Sequence, residues 1–117
     1  MGMHTIKNPI LIKELKEITE ERFGDLVKAV IDVRQEMMVV GGELHADEEV
    51  FLTDKYDSKR EDLWGINLYP DMFPGDDFVE FDSMINIKPT SGNRSRNVED
   101  KNVQEKIKTI VTKLVRE

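Results

Sequence analysis

Apolar side chains in this chain recur first at helical spacing, then at every second position, then at helical spacing again, and that change of period leaves few architectures open. After Pro9, residues Ile12, Leu15, Ile18 and Phe23 line one side of a helix among Lys13, Glu14, Lys16, Glu17, Glu20 and Glu21. Gly24 supplies the stop. From Asp25 to Arg34 the period is two, with Val27, Ala29, Ile31 and Val33 on one face and Lys28, Val30, Asp32 and Arg34 on the other. Arg34-Gln35-Glu36 reads as a hairpin turn, and Met37-Met38-Val39-Val40 as the returning strand, bent or bulged at Gly41-Gly42. Asp47 caps a short helix near 47–53, with Glu48 and Glu49 in its first turn. Alternation over Leu63 to Tyr69, then from Phe78 to Lys88, gives a third and a fourth strand that Pro70 and Pro89 end. In the fourth, Val79, Phe81, Ile85 and Ile87 point to the core. Val103, Ile107, Ile110, Val111 and Leu114 form the stripe of the last helix.

The expectation is an α+β domain: a four-stranded, mainly antiparallel sheet with two long helices packed on one face, plus the short helix near 47–53. Leu, Ile, Val and Phe number 34 of 117 residues, enough for one core, so a single domain spans 1–117 with the first ~8 residues flexible. No apolar run approaches the ~20 residues that cross a bilayer, and no targeting signal is present, which places the chain as a soluble cytoplasmic protein. The lack of cysteine removes disulfide and thiolate chemistry and suits a reducing compartment. A net charge of −7 argues against nucleic acid, whose binders release phosphate counterions with basic side chains. Residues 61–82 carry seven acidic and no basic side chains, and 83–117 carry eight basic and four acidic ones. That asymmetry marks either a ligand site or internal pairing on folding.

If both long helices cover one face, the other displays Lys28, Asp32, Glu80, Asp82, Asn86 and Lys88, as a solvated face or as a site. Along Gly41-Gly42-Glu43-Leu44-His45-Ala46-Asp47, a continued strand puts Glu43, His45 and Asp47 on one side. Such a set can ligate a metal, although the paired histidines of a zinc helix are missing and no metal is assigned. It can also serve as a base with its orienting acid, or His45 can simply satisfy a backbone carbonyl. Glu80 and Asp82, ~6 to 7 Å apart on one strand face with Asn86, make a proton-transfer pair unless Lys28, Lys88, Arg94 or Arg96 neutralises them. Ser91-Gly92-Asn93-Arg94-Ser95-Arg96-Asn97, directly before the last helix, reads either as an anion cradle or as arginines cross-linking the fold. Asn67 and Tyr69 point away from Trp64, toward the side of Gly65, where a missing side chain leaves room for a ligand or another backbone.

Four motifs in order, GGELHAD at 41–47, DLWGINLYP at 62–70, EFDSMINIKP at 80–89 and GNRSR at 92–96, resemble a family of short uncharacterised prokaryotic proteins, a domain of unknown function. The resemblance runs from about Pro9 to the final helix and implies one shared surface for the motif residues. It names no substrate or cofactor. Lys88 departs from the arginine the pattern leads one to expect, as does the loop near Met72 and Phe73.

Two functional readings follow. In the first the chain is a binding or regulatory domain for a small anionic ligand or a protein partner, with Asn67, Tyr69, Asn86, Asn93, Arg94 and Arg96 at the site. In the second it is a hydrolase-type enzyme, metal-dependent or acid-base, in which His45 works with Glu43 and Asp82. A homodimer that covers Tyr69 and Phe78 is a third use of the same surface.

Overall fold

The structure is a computed structural model that describes residues 2–117. Its elements run β1 (His4–Ile6), β2 (Ile10–Leu11), α1 (Ile12–Glu20), β3 (Val27–Asp32), β4 (Met37–Val40), α2 (His45–Tyr56), β5 (Leu63–Leu68), β6 (Val79–Glu80), α3 (Lys101–Leu114) and β7 (Val115–Arg116). The antiparallel sheet has the order β1-β4-β3-β5-β6, and β2 pairs with β7 in a separate parallel ribbon. The class is therefore α+β with an antiparallel sheet, but the sheet has five strands rather than four. The additional strand is β1, which pairs with β4 through His4↔Val40, Thr5↔Val39 and Ile6↔Met38.

The helices divide between the two faces of the sheet. Leu15 and Ile18 of α1 and Ile107, Ile110, Val111 and Leu114 of α3 pack against Val27, Ala29, Ile31, Met38, Val40, Trp64, Ile66 and Leu68. On the opposite face Leu52 of α2 packs with Val30, Met37, Val39 and Leu63. This corrects the expectation of an open second face: Val30, Val39 and Leu63 make it half apolar, and an apolar sheet surface has to be covered. Every residue of β4 is buried, because both of its faces are packed and strands flank it on either side.

Helix α2 begins at His45, two residues before the anticipated cap, and the amides of Asp47 and Glu48 both bond the Leu44 carbonyl. The strand does not continue through Asp47, so Glu43, His45 and Asp47 do not share a face. The corner before α2 depends on glycine. Gly41 has φ +92°, and a Cβ on Gly42 would lie 2.8 Å from Cγ of Glu48. Glu48 is wholly buried there and accepts the Gly42 amide at 2.9 Å. Burial pushes its carboxyl well above the usual carboxylate range.

The fourth anticipated strand is cut short. β6 keeps only two residues, Val79 and Glu80, and Met84–Asn86 forms a turn of 3-10 helix opened by Ser83, whose hydroxyl accepts the Ile85 amide at 3.3 Å. Val79 and Phe81 still pack on the main core, whereas Ile85 turns to the opposite cluster and Ile87 is exposed. Among the described residues no helix is long and apolar enough to cross a membrane.

Candidate functional site

The outer edge of β5 sets the site. β6 pairs with it only through Asn67↔Glu80 and Leu68↔Val79. Further back along β5, side chains do what a strand backbone would do. Asn86 offers its amide to Gly65 in both directions, accepting the Gly65 N–H at 2.8 Å and donating to the Gly65 carbonyl at 2.9 Å. Lys88 donates through Nζ to the carbonyls of Leu63 and Ile85 and lies 4.4 Å from the centre of the Trp64 ring. Ser83 sits directly over Gly65, where a Cβ would come 2.5 Å from its Oγ. The space that the glycine leaves is thus taken by another segment of chain.

Asn93 secures the loop behind this edge. Its amide nitrogen donates to the carbonyls of Asn86, Ser95 and Asn97, and its Oδ1 accepts the Glu99 amide. The donors of the GNRSR loop also have a carboxylate of their own. The Arg94 amide and the Ser95 hydroxyl both bond Oε2 of Glu99, at 3.0 and 2.7 Å, and hold that carboxyl below its usual range.

In front of the edge lies a cleft of about 620 Å³ between the start of α2, β3, β5 and the 80–85 turn. Lys28, Asn67 and Glu80 line it from three adjacent strands, since Lys28 pairs with Asn67 and Asn67 with Glu80. His45, Tyr69, Asp82 and Arg96 complete its polar lining. Leu44 and Met84, 55% and 65% exposed, also line it and give it apolar surface.

Most polar groups in the cleft are already partnered. Glu80 accepts from Asn67 Nδ2 and from the Tyr69 hydroxyl, both at 2.9 Å. Burial and the Glu80 carboxylate push the Tyr69 phenol up to about 12, so it remains a donor at neutral pH. Arg96 donates from Nε to Asp82 at 2.6 Å. His45 bonds the Ile66 carbonyl through Nε2 at 2.7 Å. A carbonyl only accepts, so Nε2 carries the proton and Nδ1 keeps a lone pair. Burial lowers the His45 pKa to about 4, leaving the ring neutral near pH 7. Among the charged groups Lys28 is the exception: half-buried, it forms no ion pair among the described residues and lies over the Phe23 ring at 5.5 Å, while Oδ1 of Asn67 is buried without a hydrogen-bond partner.

The sequence-derived candidates divide accordingly. His45, Asp82, Asn67, Tyr69 and Arg96 meet in the cleft. Asn86 and Asn93 lie buried behind it and bond backbone. Glu43 pairs with Arg22 at 3.7 Å and, with Asp47, lines a separate hollow, while Arg94 is on the exposed side of its loop. Glu80 and Asp82 do not pair with each other; each has its own donor. Among the described residues no three His, Asp or Glu side chains gather as a metal site would require, Glu43, His45 and Asp47 included. Phe78 is already buried within the protomer, so only Tyr69 has exposure to lose in a dimer. Sequence reasoning passed over Leu44, Ser83 and Met84 as lining residues; the one available signal was that they sit within the GGELHAD and EFDSMINIKP motifs.

Residues 4–114 match the model of a family described as a protein of unknown function, DUF5674. No curated protein and no solved structure gives a match.

Proposed function

Because the chain belongs to DUF5674, whose description carries no activity, its role has to come from the cleft, and we propose a binding domain that takes a small anionic ligand there. The observation that supports this reading is Lys28. The cleft holds two cations and two carboxylates, yet the carboxylates of Glu80 and Asp82 already have donors and Lys28 alone of the four has no hydrogen-bond or ion-pair partner among the described residues. A lysine head group without an ion-pair partner is free to take an incoming anion through a charge-assisted hydrogen bond. The setting of His45 favours binding over catalysis. A hydrolase that used it as a base would want its pKa near the working pH and a carboxylate to orient it. Here the ring bonds a backbone carbonyl and its pKa is held at about 4. Asp82 is engaged with Arg96 and Glu43 with Arg22.

The test is thermal unfolding and NMR titration of the whole chain with acetate, hexanoate, phosphate and a neutral alcohol. An anion at about 100 times its dissociation constant adds roughly 2.7 kcal/mol to stability. Lys28→Met should weaken that binding about 10- to 100-fold, the range expected when a hydrogen bond to a charged group is lost. Anion binding that Lys28→Met leaves unchanged, or no binding of any anion, would remove the proposal and turn attention to a protein partner.

A further inference from the structure

The cleft lining is mixed, polar and apolar, and the mixture narrows what fits. Lys28 offers a cation, His45 offers an uncharged acceptor whose Nδ1 makes no hydrogen bond among the described residues, and Leu44 and Met84 offer exposed apolar surface. Leu44 directly precedes His45, and Met84 directly follows Ser83, which packs over Gly65 together with the His45 ring. The apolar groups therefore line the same cleft as the polar ones rather than a separate hollow. The Ile66 carbonyl fixes the proton on Nε2, which makes Nδ1 an obligate acceptor, open to a water or to a ligand hydroxyl or N–H in its place.

Building on the anion-binding reading above, we propose that the cleft selects an amphipathic carboxylate bearing a hydroxyl or amide N–H next to the acid group. The carboxylate meets Lys28, the adjacent donor meets Nδ1 of His45, and an alkyl chain lies over Leu44 and Met84. A volume of about 620 Å³ falls within the ~300–1,000 Å³ typical of small-molecule sites.

Calorimetry and histidine-selective NMR with 2-hydroxyhexanoate, hexanoate and glycolate test this. The expected result is that 2-hydroxyhexanoate binds about tenfold tighter than hexanoate, as one added hydrogen bond allows, and tighter than glycolate, which lacks the chain. His45→Phe should abolish the preference for the hydroxyl. Met84→Ser, at an exposed position that leaves the core untouched, should weaken 2-hydroxyhexanoate several-fold and leave glycolate unchanged. Equal affinity for hexanoate and 2-hydroxyhexanoate would overturn this inference while leaving the anion reading in place. Failure of all three carboxylates to bind would end this inference, and failure of acetate and phosphate as well would end both.

Discussion

Replacing Gly65 by alanine tests whether the cleft wall is built as described. The added Cβ would lie 2.5 Å from Oγ and 2.6 Å from Cβ of Ser83, and 3.2 Å from Cδ2 of His45. Heavy atoms prefer about 3.5–4.0 Å, so the overlap is roughly 1 Å. Rotating the Ser83 hydroxyl removes only the first of these contacts, because the serine Cβ is nearly as close; the 83–86 turn itself must move. Overpacking of this kind costs ~1–3 kcal/mol. A shift of about 1 Å also stretches the two Asn86 bonds to Gly65, now 2.8 and 2.9 Å, beyond useful length, at about 1 kcal/mol each. Set against a gain of ~0.4–1 kcal/mol from the stiffer unfolded chain, the net loss is about 2–4 kcal/mol. At about 4 °C per kcal/mol for a chain of this size, the melting temperature should fall by roughly 8–16 °C. Urea unfolding and calorimetry read the change, and Ser83→Gly in the same background should restore at least ~1 kcal/mol of it, because it removes both close atoms. Gly65→Ala within about 0.5 kcal/mol of the parent, or no recovery with Ser83→Gly, would refute the placement of the turn.

Asn86→Ala should destabilise by about 2–4 kcal/mol, since it strands the N–H and the carbonyl of Gly65 in a buried setting; urea midpoints with unchanged slopes check this. His45 should titrate near pH 4 by NMR, and the sign of its effect on stability follows. Its folded pKa lies below the unfolded 6.5, so the unfolded chain binds more protons and stability is lost as pH falls from about 6.5 to about 4. The whole effect is on the order of 3 kcal/mol, seen as the difference from His45→Gln; a midpoint above 6 would sink it. Glu48 runs the other way. Its folded pKa is raised, so its ionisation penalises the fold as pH climbs above 4.5, and Glu48→Gln should gain stability relative to the parent from pH 5 upward, by paired melts.

The elements with a sustained period were legible in the sequence. The stripe from Val103 to Leu114 became α3, and the alternation of Val27, Ala29 and Ile31 became the core side of β3. Alternation over 78–88 misled because it measured apolar spacing and could not register Ser83 and Asn86, whose side-chain hydrogen bonds open a turn of 3-10 helix and stand in for the missing strand. The apolar residues on the second face of β3 and β4 were visible, but nothing local said that α2 would cross to cover them. His45, one of the candidates, lines the cleft, and the alternative use considered for it, bonding a backbone carbonyl, is present. Glu43 and Asp47 were grouped with it by assuming that an extended chain continued past Gly42. The motif GNRSR drew attention through its arginines, while the internal Glu99 that answers its amide and hydroxyl lay outside the motif.

The way Asn86 and Lys88 finish β5 also bears on how this protein behaves in company. A bare strand edge is a template on which another molecule's strand can pair, and sheets commonly defend against that with charges, prolines or covering loops. Here the donor and acceptor of Gly65 and the carbonyl of Leu63 are consumed by side chains of the same molecule, one of them the charged Lys88. The side chains that close this edge therefore leave a foreign strand no free N–H or carbonyl of Gly65 to pair with. Loss of Asn86 would show in concentrated samples as growth of intermolecular β-structure, over and above any fall in melting temperature.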